Sequence, residues 1–235
     1  MFHMRPSALK QKTCKNKDRR PSGRFLLKRT CLFLLVFLFF GTRPSHSQKR
    51  VTKTLVNPEI SAINIDGNLC YRVVLETADT REVSVEARMD GEYQKGLLVG
   101  FREAGKTLYL ETRFSPEFRF PNDKLGAHKV VSVSMKVTLP HDQRILLTAR
   151  SCEVSTSGTY RDLKIVFNDG LCDLSHSAEN TEVRTGKAPI VAHLNSGVVE
   201  AESRYGKVRL DPIPQGDHHL KLYSTQGDIT VHYNP

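Results

Sequence analysis

Histidines, cysteines, serines beside glycine and paired carboxylates are the residues here that could do chemistry, and their spacing limits what they can do. His218 and His219 stand together behind Asp217, with Asp211 nearby, a set of types that suits a divalent transition metal. Adjacent side chains on a strand point to opposite faces, so two neighbouring imidazoles do not share one ion, and the Pro and Gly around them read as a surface loop. His176, His193 and His232 recur with no i, i+2 partner and read as solvent-facing strand residues. The run STSGT at 155–159 puts serines beside a glycine but lacks the G-x-S-x-G frame of a nucleophile elbow. Asn168-Asp169-Gly170 and Gly227-Asp228 lack the several glycines per turn of a calcium-binding nonapeptide, so Asp169 reads as a turn residue. Glu200 and Glu202 share a strand face by spacing alone and read as outward charge rather than a glycosidase pair. Beyond the leader the cysteines are Cys70, Cys152 and Cys172, an odd number with no CxxC. A Cys152–Cys172 disulfide and buried single thiols both remain open. The expectation is no catalytic, cofactor-binding or metal-ligating residue.

The elements that would hold these residues are strands. From Ile60 onward the hydrophobic period is two. Tyr71–Thr77, Glu82–Ala87, Leu97–Phe101, Thr107–Thr112 and Val130–Leu139 alternate apolar and polar side chains, with Asp90-Gly91, Ala104-Gly105 and Pro140 between them. No sustained helical pattern occurs, and the tract 114–128 reads as an irregular connection. In the second half short strands recur around glycines, Gly158, Gly170, Gly186, Gly197, Gly206 and Gly227. Strands this short cannot bury a face alone, whereas stacking them in a coil buries a continuous inner stripe. Glycine at each corner supplies the positive-φ or crowded backbone of such a turn. The expected fold is all-β: a β-helix or β-solenoid-like domain with a strand-meander N-terminal half, or alternatively an antiparallel β-sandwich. Pro212, Pro214 and His218-His219 interrupt the ladder and are expected to displace its last rung.

The chain has 235 residues and a formal charge of +10. Residues 1–50 hold 13 of the 35 Lys and Arg and one of the 25 Asp and Glu, so the remainder carries about −2 and has no global pull on a phosphate backbone. The basic front ends in Lys28-Arg29, followed by the apolar run Cys31–Phe40, with small Ser45 and Ser47 before Gln48. This is the order of a secretory signal peptide over 1–47, and ten apolar residues span only about half of a bilayer core. The expectation is an exported protein of the periplasm or cell surface, with a linker at 48–59 and one domain at 60–235. Membrane attachment would come only through an uncleaved leader.

The run VTLP at 137–140, the following ILLTARSCEVSTSG at 145–158, GKTLYLET at 105–112 and the glycine ladder resemble the adhesin-like family of exported bacterial proteins, also known as the head domain of auto-transporter adhesins. The resemblance covers residues 60–233. It implies a right-handed single-stranded β-helix-like fold at the cell envelope and carries no catalytic residues. The expected function is a non-enzymatic binding or scaffolding module contacting protein or glycan, without cofactor and without nucleic acid, as a monomer or weak dimer. An envelope signalling or assembly accessory is the first alternative. A polysaccharide-acting β-helix enzyme is the second, disfavoured by the absence of Trp.

Overall fold

Alternation of apolar and polar side chains becomes, in a computed structural model, fifteen β-strands among the described residues, which are 48–235 apart from 58, 92–93 and 120–130. The leader expected over 1–47 and most of the tract 114–128 lie outside them. Residues Gln48–Pro235 form one compact unit. Its helical content among the described residues is a single 3-10 turn at Gln94–Gly96.

The first half contains β1 (Lys49–Val56), β2 (Ala62–Asp66), β3 (Cys70–Ala78), β4 (Glu82–Gly91), β5 (Leu97–Ala104), β6 (Thr107–Phe114), β7 (Val131–Pro140) and β8 (Arg144–Thr148). The second half contains β9 (Ser151–Phe167), β10 (Asp169–Thr185), β11 (Ile190–Leu194), β12 (Val198–Ser203), β13 (Val208–Leu210), β14 (His219–Ser224) and β15 (Ile229–Tyr233). All belong to one mixed sheet that folds over into two layers. One layer runs β1-β4-β7-β3-β9-β10-β11-β15-β13. The other runs β5-β6-β2-β8-β9-β10-β14-β12. Among the described residues antiparallel pairing is confined to β1–β4, β4–β7 and β5–β6, so the meander expected in the first half is only partial. Every pair in the second half is parallel, which excludes an antiparallel sandwich there.

β9 and β10 belong to both layers because each turns a corner midway. In β9 the buried residues are Cys152, Val154, Thr156 and Tyr160 up to the corner and Leu163, Ile165 and Phe167 after it. Even positions give way to odd ones, which lets both arms of one strand face the same interior. β10 repeats the switch, from Cys172 and Leu174 to Val183 and Thr185. Val73, Leu75, Val85, Met135 and Val137 in the first layer are fully buried, as are Ile63, Ile65, Leu108 and Leu110 in the second. Each such side chain contributes about 1.5–3 kcal/mol relative to exposure. Cys70 of β3 approaches Thr112 of β6 at 3.8 Å, both buried, so the two layers meet across this core.

Among the described residues Cys70, Cys152 and Cys172 are buried free thiols, and no disulfide joins Cys152 to Cys172. Burial pushes the Cys70 thiol up to about 11 and that of Cys152 to about 12. These groups are small hydrophobes of the core, not nucleophiles.

The C-terminal strands do not stack in chain order. Asp169 lies beside Ser151 and Ile190 beside Cys172, each pair 18 residues apart. The same step would place Val198 on Asn180 and Val208 on Ile190. Instead β14 occupies the place on β10, with β12 outside it, and β15 occupies the place on β11, with β13 outside it. The last rung is therefore displaced, as the interrupted ladder implied, and it lies inside the stack. The connection 211–218 that carries the chain back passes close to the β11–β12 corner, where Gly197 N–H donates to the Pro214 carbonyl at 2.8 Å.

Candidate functional site

The histidines are where the structure departs most from the sequence reading. His176 and His218, expected on a solvent-facing strand and in a surface loop, are both buried. His176 lies in β10 on its inward-facing positions, and His218 sits just ahead of β14, which the displaced rung carries into the stack. Thr181 Oγ1 lies 2.8 Å from His176 Nε2 and 2.9 Å from His218 Nε2, while Thr156 Oγ1 lies 2.7 Å from His176 Nδ1. The two rings are 5.5 Å apart, and Tyr160 packs edge-on against His176. Burial pushes the His176 imidazole down to about 3 and that of His218 to about 4, so both are neutral. Hydroxyls and neutral imidazoles that satisfy one another inside a core bind the corner together. Of this cluster the edge of His176, 7% exposed, reaches the surface.

His219, by contrast, is exposed, as expected for the outward neighbour of a buried residue. His193 and His232 lie on the outer surface of adjacent strands β11 and β15, in register, with stacked rings 5.5 Å apart. His193 Nε2 is 4.0 Å from Asp173 and His232 Nδ1 is 3.4 Å from Asp211, so a carboxylate flanks the imidazole pair on each side. Search along one strand could not have found this pair, because its members meet across strands 39 residues apart. Beside His193, Ser175, Ser177, Asn195 and Asn234 line an open depression that the edge of His176 also reaches, with Gly158 and Pro235 at its margin. Its walls offer hydroxyl, amide and imidazole groups, which both donate and accept hydrogen bonds. Among the described residues no group of three or more His, Cys, Asp or Glu is placed to hold a metal ion.

The remaining outer surface is organised in cross-strand rows. On the second layer Arg102, Tyr109, Asn64, Leu146, Lys164, Glu182, Lys221 and Glu200 stand side by side on eight consecutive strands. Charges alternate along its far half: Lys164 pairs with Glu182 at 3.1 Å and Lys221 with Glu200 at 3.5 Å. The Arg184 guanidinium, and after it the Lys164 ammonium, hold the Glu182 carboxyl below its ordinary range. Glu200 and Glu202 are exposed as expected. On the first layer Lys136 bridges to Glu76 at 2.8 Å and Arg72 to Glu153 at 2.7 Å. The serines of 155–159 lie within β9, and Asp169 accepts a bond from Gly170 N–H at 2.9 Å where β10 begins.

No family model matches the sequence, and no curated protein matches it. Among solved structures the chain is similar to a putative cell adhesion protein from Clostridium sporogenes, at 14% identity and a TM-score of 0.59, over 80% of this chain and 100% of that one. A putative adhesin from Bacteroides fragilis aligns at 10% identity over 80% and 99%, with a TM-score of 0.30. A putative lipid binding protein from Parabacteroides distasonis aligns at 10% identity over 78% and 97%, with a TM-score of 0.28. At these identities the likeness is one of fold, and it rests on the first of the three. The adhesin-like resemblance of the sequence is thus matched by an adhesin-like structural neighbour.

Proposed function

We propose that this chain is a non-enzymatic exported binding or scaffolding module that contacts a protein or glycan at the cell envelope through its outer sheet surface. The observation that carries this reading is the outer surface itself. It is an extended array of cross-strand polar rows with an open, polar-lined depression beside His193, and the convergent histidines His176 and His218 are buried and hydrogen-bonded to Thr156 and Thr181, with the edge of His176 alone reaching that depression. Broad regular surfaces suit shallow, many-point contacts rather than enclosed reaction chemistry. The parallel rungs of the second half support a right-handed β-solenoid as the finer description of the fold, and the leader over 1–47 supports export to the periplasm or cell surface.

Fractionation of the native cell with surface-protease digestion, followed by glycan-array and crosslinking screens of the unit Gln48–Pro235, tests the proposal. The expected result is an envelope protein that retains a glycan or protein ligand, with Ser175→Lys or Asn195→Lys weakening retention about tenfold. A cytoplasmic protein, or a ligand whose retention is unchanged by both substitutions, overturns the reading of this surface.

A further inference from the structure

Among the described residues each end of the stack is a strand edge with no further strand on it, and the two ends are not alike. At one end β12 pairs only with β14 and β13 only with β15. Their inward positions lack the cover found elsewhere: Val208 is 38% exposed and Leu210 49%, whereas the equivalent Ile229 and Val231 one rung deeper are fully buried. Outward, β12 shows Glu200 and Glu202. At the other end, among the described residues, β5 pairs only with β6 and β1 only with β4. The two edges are tied together by Lys49 Nζ, which donates to the Leu97 carbonyl at 2.7 Å. Between them lies a groove lined by Lys49, Val51, Lys53, Val99, Phe101 and Arg113, with Lys53 over the Phe101 ring. The β12 edge is thus carboxylate-bearing, beside a β13 edge with uncovered aliphatic side chains and an outward Arg209, and the groove at the other end is basic with an apolar floor.

We propose that these ends are the two halves of one interface, and that the unit associates head to tail, the β12 edge of one copy adding to the β5 edge of the next. A strand edge with its backbone groups free is a template for a further strand. The charge pattern selects the partner edge. The row that ends in Glu200 on β12 begins with Arg102 on β5, so stacking in register sets Arg102 of one copy against Glu200 of its neighbour and continues the alternation. Because β5 runs opposite to the parallel strands of its layer, the new pair is antiparallel, and the same register brings Phe101 opposite Ala201, large against small. A two-fold pairing of β12 with itself is disfavoured on the same ground in its central registers, although one centred on Val199 would set Glu200 against Val198. The registers centred on Glu200, Ala201 or Glu202 keep Val199 and Ala201 inside, and each sets glutamates directly opposite one another, which is destabilising. Head-to-tail contacts that do not close give open chains.

Geometry supplies a clean test on the unit Gln48–Pro235. Residues 102 and 200 stand seven strand spacings apart in one molecule, about 34 Å, far beyond the reach of a disulfide. A chain carrying both Arg102→Cys and Glu200→Cys, mildly oxidised at high concentration, is expected to give a disulfide-linked ladder of multimers, with neither single variant linking to itself. Sedimentation of unoxidised protein is expected to show mass rising with concentration. Arg102→Glu and Glu200→Arg should each weaken association about tenfold, and the double reversal should restore it. Dimers from Glu200→Cys alone would mean a two-fold tail contact and overturn the proposal. A monomer at every concentration, or a double reversal no better than the singles, would overturn it equally.

Discussion

Thr181 offers one hydroxyl to two buried imidazoles, and that arrangement sets an acid limit on the fold. The folded values of His176 and His218, about 3 and about 4, lie below the ordinary 6.5 because burial penalises the charged ring. Above pH 6.5 both states of the chain hold these rings neutral, and their contribution to stability is complete. As pH falls from 6.5 towards 4 the unfolded chain takes up protons that the folded one refuses, and stability drops by about 1.4 kcal/mol per pH unit for each histidine. Urea denaturation at pH 7 and pH 5 should show a loss on the order of 2 kcal/mol per ring, with His176→Gln roughly halving the slope. A pH-independent midpoint would mean that the rings are not sealed. The same pair shows where sequence stops. His176 falls on the inward parity of its strand only when the corner within β10 is known, and His218 is buried only because its rung is drawn inside the stack. Exposed Glu200 and Glu202, by contrast, were legible from alternation alone.

At the scale of the element, the glycines are the features that sequence reading placed best. Gly170 begins β10 with φ of 120°, and a Cβ there would overlap the Cys152 carbonyl of the neighbouring strand. The turn requires a left-handed residue and the adjacent rung leaves no space for a side chain, so two independent constraints meet at one position. Gly170→Ala should destabilise the unit by about 2 kcal/mol or more, read from its thermal or urea midpoint. Gly105→Ala is its control, because the hairpin between β5 and β6 also has a positive φ but nothing lies near its Cβ, and its cost should be the smaller. What the glycine ladder concealed was strand length. β9 and β10 are 17 residues each, because a corner turned by a change of side-chain parity leaves the backbone ladder unbroken and looks in sequence like a break between two short strands.

The order of the rungs belongs to the whole molecule, and local pattern cannot specify it. An 18-residue step carries β9 onto β10 and β10 onto β11, and by that step β12–β13 is the natural next rung. Two differences between the competing rungs favour the observed order. β14–β15 brings Leu220, Leu222, Ile229 and Val231 inward, all almost fully buried, where β12–β13 offers Val199 and Ala201 with Val208 and Leu210. Seating β12 directly on β10 would also set Glu200 against Glu182, whereas Lys221 now stands between them. The consequence is that the chain's terminal rung supports a rung that precedes it in sequence. Leu222→Ala, which removes a wholly buried side chain, should cost about 2–5 kcal/mol. Hydrogen exchange should then show β12 and β14 losing protection together, because among the described residues β14 is the one strand that β12 pairs with. If β12 amides kept their protection while those of β14 were lost, β12 would have moved onto β10, and the charge argument for the rung order would fail with it.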